Sequence, residues 1–251
     1  MEWNDTGLVL AKGVFREADV WLRLLFREHG VRTVFAFGGL RSRRRFVGCL
    51  DLMNELECRV KASRTGSYED LEEAVLVRGP GRLRSSRSSL GLAANCLRLV
   101  DCAGVPPEAA PDSFRLAREM LALLESGTDR PGVLGLFFRL RFMGLLGYAP
   151  DLGHCMGCRS SRGAEAFFCV EEGGVLCPDC RRRRAGMTGA MLSGPALDAL
   201  EEVQRGWPPD WTGLDLAARD RRGAAFCING VLTYHAGLMW DRGRFVRTRT
   251  N

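Results

Sequence analysis

In Val20-Trp21-Leu22-Arg23-Leu24-Leu25-Phe26-Arg27, Val20, Leu22, Leu24 and Phe26 alternate with Trp21, Arg23, Leu25 and Arg27; Glu28-His29-Gly30 offers a turn, and Val31-Arg32-Thr33-Val34-Phe35-Ala36-Phe37 follows, rich in β-branched and aromatic residues. A period of two on either side of a turn predicts a hairpin. Working outward, Gly38 and Gly39 interrupt the pattern and Arg41 to Arg45 form a basic loop. Leu8 to Phe15, Phe46 to Val60 and Leu71 to Val77 supply further strands. About five short strands in so short a stretch fit a small barrel, closed so that no edge is left unpaired.

Near Gly79-Pro80-Gly81 the period changes to that of a helix, which places a boundary at residue 80. Ser88 or Ser89 can cap a helix through Leu90, Ala93, Leu97 and Val100, with Gly104 and Pro106 as stops. Asp112 can cap a second, ending at Gly127, and a third runs from Pro131 to near Gly147. Residues 148–184 break the helical rhythm with glycines, paired cysteines and an arginine run. Helix signals return between Ser193 and Gly206, and a last helix is expected over much of Gly223 to Trp240. The expected organisation is therefore a barrel over 1–80, a helical domain in two parts over 81–147 and 185–251, and an insertion over 148–184.

The chain has 251 residues, 46% of them apolar, which excludes intrinsic disorder. Lys and Arg number 36 against 30 Asp and Glu, and Lys12 and Lys61 are the only lysines, so the positive charge is almost wholly arginine. The longest apolar stretch, Val133 to Ala149, carries Arg139 and Arg141 in its middle, which argues against a membrane span. The opening MEWNDTGLVL lacks the pattern of an export signal. A cytoplasmic protein is expected, and in that reducing setting ten cysteines need an explanation other than disulfides.

Four of them have one. Cys155-Met156-Gly157-Cys158 and Cys177-Pro178-Asp179-Cys180 flank eighteen residues. Each pair sets two thiolates on one tight turn, and two such turns offer a tetrahedron of sulfurs suited to zinc. Four thiolates fill the coordination sphere, so a single Zn2+ there is expected to be structural. His154 and Cys169 lie nearby as spare donors that a complete four-cysteine set does not need. Cys49, Cys58, Cys96, Cys102 and Cys227 sit in apolar contexts and read as small hydrophobes.

The chain has no phosphate-binding loop, dinucleotide fingerprint, HExxH or GxSxG, and His29, His154 and His235 are scattered. No enzyme is expected. Charge is unevenly placed: Lys12 to Arg45 carries nine basic residues against three acidic ones, whereas 51–73 carries seven acids against three bases. Lys12, Arg16, Arg23, Arg27, Arg41, Arg43, Arg44 and Arg45, with Trp21 as a ring sharing its face with Arg23 and Arg27, are the candidate contacts to nucleic acid. Phosphates meet charge and bases stack on aromatics in such sites. Phe35, Phe37 and Phe46 lie close to the same loop, and Arg181 to Arg184 form a second basic run.

Gly147-Tyr148-Ala149-Pro150-Asp151-Leu152 followed by Cys155-x-x-Cys158, and Gly173-Gly174-x-x-Cys177-x-x-Cys180, resemble the zinc-bearing region of the RecO family of bacterial DNA repair proteins. Gly7-Leu8-Val9-Leu10, Ala18-Asp19 and Phe26-Arg27-Glu28-His29-Gly30, then a glycine and a basic loop, resemble its N-terminal part. Phe37-Gly38 stands where relatives usually have lysine-glycine, and Arg242 to Arg249 is only loosely similar to the family's basic end.

The resemblance implies an N-terminal OB-fold, a helical domain and an inserted zinc module: an α+β, multi-domain protein. It implies binding of single- and double-stranded DNA, annealing of complementary strands, and help in loading RecA onto DNA covered by single-strand-binding protein. RecR, often RecF, and the acidic C-terminal tail of single-strand-binding protein are the implied partners. Phe138, Arg139, Arg141 and Phe142 on the third helix are either a candidate apolar groove edged by arginine for that tail or part of a core helix with two surface arginines. A zinc-ribbon scaffold and an RNA-binding protein are the competing readings.

Overall fold

Residues 2–127, 131–184 and 186–248 are described by a computed structural model, and the chain divides into two compact units, Met1–Gly127 and Thr128–Asn251. The first unit begins with β1 (Glu2–Val14), β2 (Val20–Phe26), β3 (Gly30–Ala36), β4 (Glu55–Ala62) and β5 (Glu69–Arg78), which close into a barrel in the order β1-β2-β3-β5-β4. The fold is α+β and this barrel is its OB-fold. β1 makes closure possible: its first half pairs with β4 (Glu2↔Lys61 to Leu8↔Glu55), its second with β2 (Gly7↔Phe26 to Val14↔Val20), with an irregularity between Val9 and Ala11. Val20, Leu22, Leu24 and Phe26 all point inward, joined by Val34, Ala36, Leu56, Val60 and Leu71.

The expected strand from Phe46 to Val60 is shorter than its apolar content suggests: β4 begins at Glu55. Phe46 and Cys49 instead drop from the preceding loop into the barrel core, and Met53 turns the chain with a positive φ of 67°. At the other end β1 starts at Glu2 rather than Leu8.

Two helices complete this unit. α1 (Arg87–Ala103) is capped by Ser86, whose hydroxyl accepts from the Ser89 N–H at 3.3 Å, and it ends on Gly104, held in the left-handed region at φ 66°. α2 (Ala110–Ser126) starts ahead of Asp112, because the 3-10 turn Pro107–Ala109 runs straight into it. Asp112 thus lies in the first turn, where the helix dipole favours its charge.

The second unit opens with α3 (Pro131–Leu145), followed by β6 (Asp151–Cys155), β7 (Glu165–Cys169), β8 (Gly174–Leu176), the short α4 (Pro178–Arg182) and β9 (Gly189–Ser193). The strands form one sheet in the order β6-β8-β7-β9. α5 (Gly194–Arg205) is capped by Ser193. α6 (Ala218–Ala236) starts earlier and stops sooner than the expected Gly223 to Trp240, because Gly237 adopts φ 63° and breaks it. A hairpin of β10 (Leu238–Asp241) and β11 (Arg244–Arg247) follows; Arg249 of the basic close lies outside the described residues.

α3 corrects one expectation. Phe138 and Phe142 are fully buried, stacked on each other at 5.9 Å, among Leu134, Phe137, Leu140 and Met143, as α3 packs on α5 and α6. They form core and cannot line an open groove. The Arg139 and Arg141 guanidinium groups lie 6.0 and 4.6 Å from the rings of Trp240 and Trp207. Among the described residues no helix is long and apolar enough to cross a membrane.

Candidate metal centre and nucleic-acid surface

Cys155 ends β6, and the turn after it doubles back at once: the Arg159 N–H donates to the Cys155 carbonyl at 2.8 Å and the Cys155 N–H to the Ser160 carbonyl at 2.9 Å. β8 runs parallel to β6, Cys155 lying opposite Val175, and so delivers Cys177 beside the first turn. Cys177 also caps α4, accepting from the Cys180 N–H at 3.4 Å, while Pro178 supplies the pre-set first turn. All four sulfurs lie within 4.8 Å of one another.

The surroundings are shaped for thiolates. Burial works to raise the Cys155 thiol, but backbone N–H groups of Cys177, Cys158 and Gly157 outweigh it and hold it at about 6. Hydrogen bonds to Cys177, Cys158 and Cys155 push Cys180 up to about 12. A Cβ at Gly157 would sit 2.9 Å from the Cys180 sulfur, so a larger residue there must push that sulfur aside. The donor set fits a soft, tetrahedral metal ion in a structural role. Cys169 is buried beside the cluster, its thiol donating to Glu171 at 3.2 Å, and His154 is exposed, 3.6 Å from Asp151. Neither joins the four-sulfur group.

The basic candidates of the barrel separate into three sets. Arg16, Trp21, Arg41, Arg43, Arg44 and Arg45 gather at one end. There Leu40 N–H donates to the Ala18 carbonyl (3.0 Å) and Gly38 N–H to Asp19 (2.7 Å), tying the basic loop to the β1–β2 turn. Arg45 donates to the Phe37 carbonyl at 2.6 Å and lies over the Phe46 ring. Arg41 reaches Glu17 at 3.4 Å, whereas exposed Arg43 and Arg44 form no ion pair among the described residues. Trp21, half-buried, fills the space that a Cβ at Gly13 would need.

Arg27 is exposed at the opposite end of β2. Lys12 and Arg23 are engaged in ion pairs, the first on the surface and the second with a largely buried acid. Lys12 binds Asp51 at 2.8 Å, which Arg84 also reaches at 2.9 Å; Arg23 is ion-paired with the largely buried Asp101 of α1 and donates to Thr33 at 3.1 Å. The Arg181 to Arg184 run is similarly engaged: Arg181 lies over Phe167, Arg182 pairs with Asp179 and Arg184 with Glu172.

Beside the basic loop lies a group that linear reading missed. Phe15 from the β1–β2 turn and Tyr68 from the β4–β5 turn both pack on Phe35 and Phe37. Only barrel closure joins these two turns; the signal in the sequence is one ring beside each.

Family models described as Recombination protein O N terminal and Recombination protein O C terminal match residues 1–80 and 84–241. The chain belongs to the RecO family. It is 42% identical over 254 residues to the DNA repair protein RecO of Nitratidesulfovibrio vulgaris strain Hildenborough, and 37% over 250 residues to that of Lawsonia intracellularis. It is 40% identical over 248 residues to that of Solidesulfovibrio magneticus; each comparison covers 98% of this chain and the whole relative. The two RecO matches meet between the barrel and α1, and β11 lies beyond the second.

Proposed function

We propose that this chain is a non-enzymatic mediator of DNA repair and recombination. The barrel of residues 1–80 binds single- and double-stranded DNA. The helical parts, 81–147 and 185–251, and the module over 148–184 complete the scaffold on which RecR and, in some settings, RecF act. With them it anneals complementary strands and helps load RecA onto DNA covered by single-strand-binding protein, whose acidic tail is a further partner. Its place of work is the cytoplasm, at the nucleoid.

The observation that carries this reading is the tethered basic loop, with Arg43 and Arg44 exposed and unneutralised at one barrel end. Annealing needs no bond chemistry: two strands repel through their phosphates, and a fixed arginine surface that meets both lowers that repulsion while bases stay free to pair. Lys12 and Arg23 serve that surface indirectly, by fixing the loop and α1 against the barrel. The four cysteines hold one structural Zn2+. Zinc–sulfur bonds of about 2.3 Å set sulfurs about 3.8 Å apart in a tetrahedron, and Cys158 and Cys177 lie 3.9 Å apart. Zinc bound there supplies rigidity and no open coordination position.

Charge reversal of Arg43 and Arg44 together tests the surface. In an anisotropy titration against salt, the log–log slope is expected to fall by about two units and affinity with it, since each lost phosphate contact removes about one. Equal slopes for variant and wild type defeat the assignment. Competition between DNA and RNA strands of equal length separates the RNA-binding alternative.

A further inference from the structure

Four aromatic rings meet on the outside of the barrel. Phe35, next to last in β3, has its side chain on the face opposite inward-pointing Val34 and Ala36, and Phe37 follows just beyond the strand, the two rings near-parallel with centroids 6.4 Å apart. Phe15 abuts this pair edge-on at 5.3 and 6.1 Å, and Tyr68 does so at 5.9 and 5.7 Å. None of the four belongs to the barrel core. Phe15 is 38% exposed and Tyr68 42%; Asp101 of α1 meets the barrel at Arg23, and the Val105–Pro107 segment between α1 and α2 meets it at Gly30 and Val31.

A contiguous aromatic patch facing water loses free energy that burial would recover, and such patches mark binding surfaces. The charge around this one selects the occupant. Arg16 lies over the Phe15 ring at 5.7 Å and is itself 72% exposed, and Arg45 is bonded to the carbonyl of Phe37, so the arginine loop springs from the edge of the patch. Of the acids that follow Tyr68, Glu69 is offset by Arg32 at 3.5 Å, and Asp70, opposite Phe35 in the β3–β5 register, has the charges of Arg45 and Lys61 near it. Flat apolar faces beside a row of exposed guanidinium groups match a chain of flat bases on a phosphate backbone.

We infer that Phe15, Phe35, Phe37 and Tyr68 form a stacking platform for unpaired nucleobases, which makes this end of the barrel prefer single strands. The inference rests on the DNA-binding reading above and adds to it a division of labour. The loop arginines hold phosphates, which duplex and single strand both present; the rings hold bases, which only an unpaired strand offers. Phe15 and Tyr68 stand on the β1–β2 and β4–β5 turns, so they can grip a strand crossing between those turns.

The experiment uses the full chain and three fluorescent probes of equal length: an oligothymidylate, an abasic strand with the same phosphates, and a duplex. Wild type is expected to bind the base-bearing strand at least about fivefold more tightly than the abasic one. Tyr68→Ala and Phe15→Ala are each expected to lose between about five- and a hundredfold on the base-bearing strand alone. Their abasic and duplex affinities and salt slopes stay unchanged, and Tyr68→Phe keeps the preference. Equal wild-type affinity for thymidylate and abasic strands overturns the platform without touching the phosphate surface, and needs no variant to fold. Losses in Tyr68→Ala or Phe15→Ala shared equally by all three probes also overturn it. Failure of wild type to bind any probe at low salt removes the DNA-binding reading itself, and the platform with it.

Discussion

The barrel and the four-cysteine sheet are both small β structures, held together by different means. Fourteen buried residues from five strands and their loop pack inside the barrel. The sheet of β6 to β9 gathers around Cys155, Phe167, Cys169 and Leu176, with Cys177 and Cys180 at its margin, so several residues of its core cluster are candidate ligands. A closed ring of strands can bury enough side chains to stand by itself; the short open sheet leans on α5 and α6 and on a sulfur cluster whose order depends on what the sulfur binds. The two regions should therefore fail under different insults.

The largest contrast is expected from metal removal. Cys177→Ser, or a strong chelator, should strip protection from backbone amides of residues 151–193 while those of β1 to β5 keep theirs, as read by hydrogen exchange; structural zinc in comparable sites is worth about 10 to 16 kcal/mol apparent. Retained protection in the cysteine sheet shows it to be as self-sufficient as the barrel. The converse variant, Leu22→Ala, removes a fully buried side chain from the barrel. It should cost about 2 to 5 kcal/mol in the denaturant transition of the barrel and leave metal content unchanged. A smaller effect concerns acid. The Lys12 hydrogen bond, aided by Arg84 against the opposing effect of burial, holds the Asp51 carboxyl at about 2 instead of 3.8. Because the folded value is the lower one, this contribution is complete above about pH 4 and disappears as pH falls through about 2. Asp51→Asn should flatten that limb of the barrel's stability curve, and an unaltered curve shows that the Lys12–Asp51–Arg84 strap adds nothing.

The same contrast explains what could be read from residues in order. Alternation at Val20 to Phe26 was legible because one face of β2 is wholly buried, and the paired CxxC spacing because two local turns make the site. Phe46 to Asn54 was not, since Phe46 and Cys49 plug the barrel from a loop whose composition copies that of a strand without its geometry. The end of α6 turned on the left-handed backbone at Gly237, which composition does not register. Phe138 and Phe142 fit a groove or a core equally well because a helix read alone has no neighbours; α5 and α6 supply them and decide for core. The ring cluster was hidden for the opposite reason, its members lying far apart until closure joins the turns that carry them.

That closure also sets a schedule for synthesis. β1 finds β2 within a few residues, but its other edge waits for β4, and the parallel contact of β3 with β5 waits longer still, until residues 69 and 70 have been made. A ribosome-bound chain therefore passes through a stage in which a three-stranded sheet carries two bare edges, the condition under which strands from neighbouring nascent chains can pair wrongly.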